Sequence, residues 1–236
     1  MSEAHDRSGA VRGAAFFDVD ETLITAKSMF EFLRFWLARG GDDGTRYARH
    51  AAALRDMSAL GIPREEVNRA YYQYYAGTYA ADVRAAGRDW YAAYRERPDA
   101  FVTAGLSALA RHRAAGDTVV LVSGSFRACL DPLAEDLAAD RVLCGQLVVD
   151  ERGFHTGEVV EPMIGRAKAD AVAKTMRELG LAAGDCCGYG DHASDLDMLR
   201  VVGRPSVIGD DPTLGELART HGWPVMSSAH GARGEE

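Results

Sequence analysis

Two aspartates, Asp18 and Asp20, stand one residue apart at the end of the apolar run Ala14-Ala15-Phe16-Phe17, with the hydroxyl of Thr22 close behind. A run this short reads as a buried parallel strand. Open α/β sheets hold their ligands at the carboxyl ends of such strands, so both acids are expected at the mouth of a crevice. An exposed acidic turn after a strand is the competing reading, and the pair alone does not choose between them. Three further stretches bear on that choice. Ser123 follows the apolar Thr118-Val119-Val120-Leu121-Val122, with Gly124 behind it and a helix start next, where backbone N–H groups suit a phosphate. Lys168 stands at a helix start after Gly165-Arg166-Ala167, and Asp191 and Asp195 lie four apart after Gly190. Carboxylates with further oxygen donors describe a site for a hard cation, most simply Mg²⁺. A hydroxyl and a lysine beside that cation would neutralise a phosphoryl group and hold it in line, and phosphoryl-transfer enzymes work largely by such positioning.

The elements that must carry these residues alternate. After the strand at about 14–19, residues 28–39 read as a helix with Ser28 as its N-cap. Gly40-Gly41-Asp42-Asp43-Gly44 ends it, and the text then stays helical to about residue 97. Tyr71, Tyr72, Tyr74, Tyr75 and Tyr79 read as a helix-packing seam in preference to an aromatic ligand pocket. Beyond Pro98 come a helix (106–115), a strand (118–122) and a helix (127–139) in which Asp131-Pro132 is a candidate for a fresh turn. A hairpin (142–149 with 154–160) and a helix (168–179) follow. A strand (185–190), a helix (196–202), a strand (205–208) and a helix (213–221) close the pattern. Alternation of this kind implies an α/β fold with a doubly wound, mainly parallel sheet. The expected division is a core of 14–26 and 98–226, an all-helical insert of 27–97 after the first strand, and flexible tails at 1–13 and 227–236.

Composition narrows the function classes. With 47% apolar and 26% charged residues, the 236-residue chain reads as an ordinary globular protein. A net charge of −8 argues against nucleic acid or an anionic membrane as the main partner. There is no apolar leader and no run of membrane-spanning length, so a cytoplasmic protein is expected. Cys129, Cys144, Cys186 and Cys187 lack metal-ligand spacing. The adjacent pair reads as buried strand thiols, with a vicinal redox pair as the alternative. Of 27 basic residues only Lys27, Lys168 and Lys174 are lysines, so a lysine is informative wherever it falls.

Taken together, Asp18-Val19-Asp20-Glu21-Thr22, Val122-Ser123-Gly124-Ser125, Gly165-Arg166-Ala167-Lys168 and Gly190-Asp191-His192-Ala193-Ser194-Asp195 resemble the four motifs of the haloacid dehalogenase (HAD) superfamily. The helical insert resembles the C1 cap of its phosphoserine-phosphatase-like branch, subfamily IB. The resemblance covers about residues 14–226 and implies a Rossmann-like core with a helical cap. It implies Asp18 as the nucleophile that becomes an aspartyl-phosphate and Asp20 as general acid, then base. It also implies Mg²⁺ held by Asp18, Asp191 and the backbone carbonyl of Asp20, with Asp195 holding metal-bound water or orienting Lys168. Ser123, Gly124 and Lys168 would bind the phosphate. An acid at Asp20 favours ester hydrolysis over dehalogenation, because an alkoxide needs a proton to leave and a halide does not.

Four positions depart from the branch: Lys27, Ser125 where glycine is usual, and His192 and Ser194 where glycine and asparagine are usual. Lys27 replaces the acid that grips the phosphoserine ammonium, which disfavours phosphoserine and makes Lys27 a candidate ligand for an anionic part of the substrate. A solvated lysine at the cap hinge is the equal alternative. His192 stands where the motif holds a small residue and is not expected to be catalytic, and Arg127 reads equally as a substrate contact or a solvated helix residue. The expectation is a Mg²⁺-dependent phosphomonoesterase acting on a small soluble metabolite, as a monomer or homodimer. A phosphotransferase using the same intermediate, or a non-catalytic binding protein of the same fold, are the alternatives.

Overall fold

The computed structural model of the protein describes residues 12–231. Its first strand, β1 (Ala14–Phe17), is paired in parallel on both sides, with β3 (Thr118–Phe126) and with β7 (Cys186–Gly190). The sheet extends outward through β4 (Arg141–Gly145) on one side and β8 (Arg204–Ile208) and β9 (Val225–Met226) on the other. The order is β4-β3-β1-β7-β8-β9, with every pair parallel. This is the doubly wound sheet that alternating strands and helices predict, and its reversal of order at β1 puts a crevice beyond the carboxyl ends of β1, β3 and β7.

Alternation along β1 builds both faces of the sheet. Ala15 and Phe17 join a cluster with Phe32, Tyr71, Tyr75, Trp90, Phe126 and Leu130. Ala14 and Phe16 join the opposite cluster with Val120, Val172, Met198, Leu199 and Leu214. The same alternation sends Cys186 to one face and Cys187 to the other, so the vicinal pair is two separate buried thiols.

Between β1 and the rest of the sheet the chain runs through four helices. These are α1 (Ser28–Arg39), α2 (Thr45–Ala59), α3 (Arg64–Tyr72) and α4 (Ala80–Arg95). Three of the five tyrosines form the expected seam: Tyr71, Tyr72 and Tyr75 are buried and pack edge-on or tilted against Phe126 of β3, whereas Tyr74 packs on His50 and Tyr79 is exposed. Helix α4 lies against α6 (Arg127–Leu137), which continues through Pro132 without the expected new turn. Proline has no N–H to offer the carbonyl four residues back, that of Ala128. Gly87 of α4 sits against this carbonyl so closely that a Cβ there would come within 1.8 Å of the oxygen.

The remaining helices flank the sheet: α5 (Thr103–Ala115), α7 (Arg166–Leu179), α8 (Leu196–Val201) and α9 (Pro212–His221). The expected long strand at 142–149 is divided at Gln146. Its first part is β4 of the main sheet, and only β5 (Leu147–Val149) forms the hairpin, with β6 (His155–Val159). Helix α6 ends at Leu137 because Ala138 turns left-handed, with φ 48°. The expected tail at 227–236 is ordered as far as it is described, for β10 (His230–Gly231) pairs with β2 (Phe101–Val102). The outer parts of both expected tails, 1–11 and 232–236, lie outside the described residues. No helix among the described residues is long and apolar enough to cross a membrane.

Candidate active site

At the ends of β1, β3 and β7 lies a cavity of about 460 Å³ whose wall includes Asp18, Asp20, Ser123, Gly124, Lys168, Asp191 and Asp195. All the residues singled out from the four stretches therefore meet at one place. Asp18 follows β1 directly, and its N–H extends the sheet by donating to the Tyr189 carbonyl at 2.9 Å. Asp20 sits in the tight loop beyond, where Glu21 takes a left-handed φ of 61° that costs a non-glycine residue about 1–2 kcal/mol. Strain of this kind collects at functional sites.

Lys168, in the first turn of α7, is the electrostatic centre. Its Nζ donates to Asp18 Oδ1 at 2.5 Å and to Asp195 Oδ1 at 2.6 Å, with all three side chains buried. Burial opposes the ammonium charge, but the two carboxylates more than compensate and hold its pKa above the usual lysine value. Asp195 reaches the cluster because residue 190 is glycine: a Cβ there would lie 2.7 Å from that of Asp195. Its second oxygen accepts the His192 N–H at 3.3 Å. Asp191 is held by Thr22, whose hydroxyl donates to Oδ1 at 2.9 Å.

One lysine does not balance these acids. Burial first, then the neighbouring Asp195 charge, raises the pKa of Asp18 to about 6. Burial and then Asp18 and Asp195 raise that of Asp191 to about 9. Asp20 is raised to about 7, by burial and then by Asp18. Asp18, Asp191 and Asp195 each offer an oxygen within 4.8 Å of the others. An all-oxygen set with surplus negative charge fits a hard divalent cation. The Asp20 carboxylate is outside this set. Its Oδ2 accepts the Ser28 N–H at 3.0 Å, and its Oδ1 is buried without a hydrogen-bond partner.

That bond corrects the reading of Ser28 as the N-cap of α1. Lys27 holds the cap position without a side-chain bond, and Ser28 is the first helical residue, capped from a distance by Asp20. Lys27 itself lines the cavity, but its ammonium is largely exposed and lies 3.2 Å from Glu21 Oε2. Arg127 is not among the lining residues and pairs with Asp131 one turn along α6. His192 lines the cavity, with Nδ1 accepting from the Ser194 N–H and from Arg64 Nη1, each at 3.0 Å.

Several lining residues were not singled out from sequence. Arg55, Arg64 and Asn68 all come from the helices between β1 and β2. Asn68 and Tyr72 both donate to the Gly124 carbonyl, at 3.0 and 2.8 Å, which ties α3 to the end of β3. Asn68 is the only asparagine in the chain, a rarity that could have flagged it as Lys168 was flagged. Arg55 and Arg64, two of many arginines, carry no such signal.

A family model described as haloacid dehalogenase-like hydrolase matches residues 15–200. An inhibition of morphological differentiation protein of Streptomyces azureus is 31% identical over 216 residues, spanning 91% of this chain and 78% of the relative. A probable phosphatase of Mycobacterium tuberculosis is 30% identical over 219 residues, spanning 92% and 75%. Among solved structures, a protein of unknown function from Bordetella pertussis Tohama I matches with a TM-score of 0.79 at 25% identity, over 92% of this chain and 98% of that one. A phosphoserine phosphatase, solved as an analogue of its phospho-aspartyl intermediate, shares the fold with a TM-score of 0.67 at 20% identity, over 94% and 95%. With most of its length matched by the family model and its acids, serine and lysine gathered in one cavity, the chain belongs to the haloacid dehalogenase-like hydrolases.

Proposed function

We propose that the protein is a Mg²⁺-dependent phosphomonoesterase that acts on a small soluble phosphate ester through an aspartyl-phosphate on Asp18. The observation that carries this reading is the meeting of Asp18, Lys168, Asp191 and Asp195 in one cavity whose wall also includes Asp20 and Ser123. The names of the phosphatase relatives point the same way. Mg²⁺, held by the carboxylates of Asp18 and Asp191 and the main-chain carbonyl of Asp20, would neutralise charge on the phosphoryl oxygens. Asp195, which accepts from Lys168 Nζ and from the His192 N–H, would orient Lys168 or hold a metal-bound water.

Ser123 and Lys168 bind the phosphoryl oxygens and hold the phosphorus against Asp18. An Asp18 oxygen attacks as the ester oxygen departs, taking the proton of Asp20. Asp20, now a carboxylate, removes a proton from water, which attacks the same phosphorus and returns Asp18 with orthophosphate. The helical segment 27–97 acts as a cap that shuts bulk water out of the first step.

Lys27, Arg55 and Arg64 line the outer wall, which gives an anionic group on the substrate a place to bind. The cytoplasm is the proposed compartment, in keeping with four buried free thiols. The test is hydrolysis of p-nitrophenyl phosphate with Mg²⁺ by wild type and by Asp18→Asn. Activity in wild type and its loss in the variant support the reading, whereas turnover that survives Asp18→Asn ends it. For the anion subsite, Lys27→Ala should raise KM for a carboxylated phosphate ester and spare a neutral one. Equal effects on both would remove Lys27 from the subsite.

A further inference from the structure

Three buried serines connect the two sides of the cavity. Ser28 opens α1, Ser125 lies near the end of β3, and Ser123 precedes it by two residues. The Ser28 N–H donates to Asp20 Oδ2 at 3.0 Å, and the Ser28 hydroxyl donates to the Ser125 hydroxyl, also at 3.0 Å. The Ser125 N–H in turn donates to Ser123 Oγ at 3.1 Å. The path thus runs from the carboxylate of Asp20, through the start of a cap helix, to the hydroxyl that faces the phosphate.

The bonding of Asp20 is asymmetric. The N–H bond to Oδ2 fixes how the carboxyl group is turned. Oδ1 is buried, lacks a partner, and belongs to a residue that lines the cavity. We infer that the Ser28–Ser125 pair positions Asp20, the Ser28 N–H holding the carboxyl group in the orientation from which it gives its proton to the leaving oxygen. The inference rests on the phosphatase reading and deepens it. Ser28 and Ser125 are positioning residues: neither touches the reacting atoms, and they act through Asp20 and Ser123. In the step they serve, the Asp18–phosphorus bond forms, the phosphorus–ester oxygen bond breaks, and the Asp20 proton passes to the departing oxygen.

A merely structural pair would behave differently. Removing one hydroxyl breaks the bond and keeps the other buried polar group, whereas removing both takes away donor and acceptor together and costs folding less. Ser28 also occupies the first helical position, where proline is tolerated. Ser28→Pro therefore removes the N–H to Asp20, as well as the hydroxyl, at a site that suits the ring.

The test compares kcat/KM on p-nitrophenyl phosphate, whose leaving group needs no proton, with kcat/KM on an alkyl phosphate, whose leaving group does. Wild type, Ser28→Ala, the Ser28→Ala/Ser125→Ala double variant and Ser28→Pro are assayed with Mg²⁺, with thermal melting as the control for folding. The alkyl ester should lose about tenfold in the two alanine variants and about a hundredfold in Ser28→Pro, within the range general acid catalysis supplies. The aryl ester should stay within about twofold. If Ser28→Pro fails to fold, the alanine variants decide. Equal losses on both esters, or none on either, in folded protein overturn the inference. Asp18→Asn and Asp20→Asn separate the levels. Hydrolysis surviving Asp18→Asn, or an Asp20→Asn loss that ignores the leaving group, overturns the underlying mechanism and the inference with it.

Discussion

Lys168 carries more of the site than any other side chain, because its single positive charge is shared by two buried carboxylates at 2.5 and 2.6 Å. Lys168→Met keeps the length and removes the charge. It should lower kcat by about 10²-fold or more, the usual loss when a preorganised charge partner of the transferring group is deleted. A kcat within a few-fold of wild type would remove Lys168 from the mechanism. The acids make a second prediction, about pH. Asp18, Asp20 and Asp191 all bind a proton more tightly in the folded chain than in the unfolded one, where carboxylates titrate near 3.8. Their contribution to stability is therefore intact below that value and is lost as pH rises through about 6, 7 and 9. In metal-free protein, Asp191→Asn should accordingly raise Tm more at about pH 8 than at about pH 5. A larger gain at the lower pH would contradict the assignment of excess buried charge to Asp191.

Elements position these residues through close backbone approaches. Gly105 of α5 abuts the loop that carries Thr22: a Cβ there would come within 2.1 Å of the Thr22 carbonyl. Gly105→Ala should cost about 1–3 kcal/mol in denaturant unfolding, as overpacking does, and should weaken Mg²⁺ binding through the Thr22–Asp191 bond. Unchanged stability would show that the helix can withdraw freely. The strands and helices around the motifs were legible because each is local: an apolar run ending in an acid or serine, or a glycine closing a helix as Gly116 and Gly180 do. What was not legible depends on contacts between distant parts of the chain. Ser28 reads as an N-cap by type, yet its N–H is needed by Asp20 and its hydroxyl by Ser125, 97 positions away. The split of 142–149 at Gln146 was hidden because both parts are apolar, and only the pairing partners differ. Arg64 meets His192 across 128 positions, a contact no spacing rule announces.

At the scale of the whole molecule, the cavity lies where helices α1–α3 meet the end of the sheet, so its closure depends on bonds between the two. Arg64–His192 lies at the exposed mouth, while Asn68 and Tyr72 hold the Gly124 carbonyl at the buried end. Arg64→Ala should therefore raise KM about tenfold or less while leaving kcat close to wild type, since it loosens binding without touching the reacting atoms. A fall in kcat alone would place Arg64 in the chemistry instead. Cation binding belongs to this scale as well: Mg²⁺ that binds only the folded chain should raise Tm with concentration, and Asp191→Asn should abolish the rise. The central claim is that the phosphoryl group passes to Asp18. Rapid quenching of wild type with a radiolabelled phosphate ester tests this most directly, followed by hydroxylamine treatment, which cleaves acyl phosphates. The account predicts a hydroxylamine-labile label on the peptide bearing Asp18 and no label in Asp18→Asn. Hydrolysis at the wild-type rate in Asp18→Asn, or a label on another residue, would contradict it.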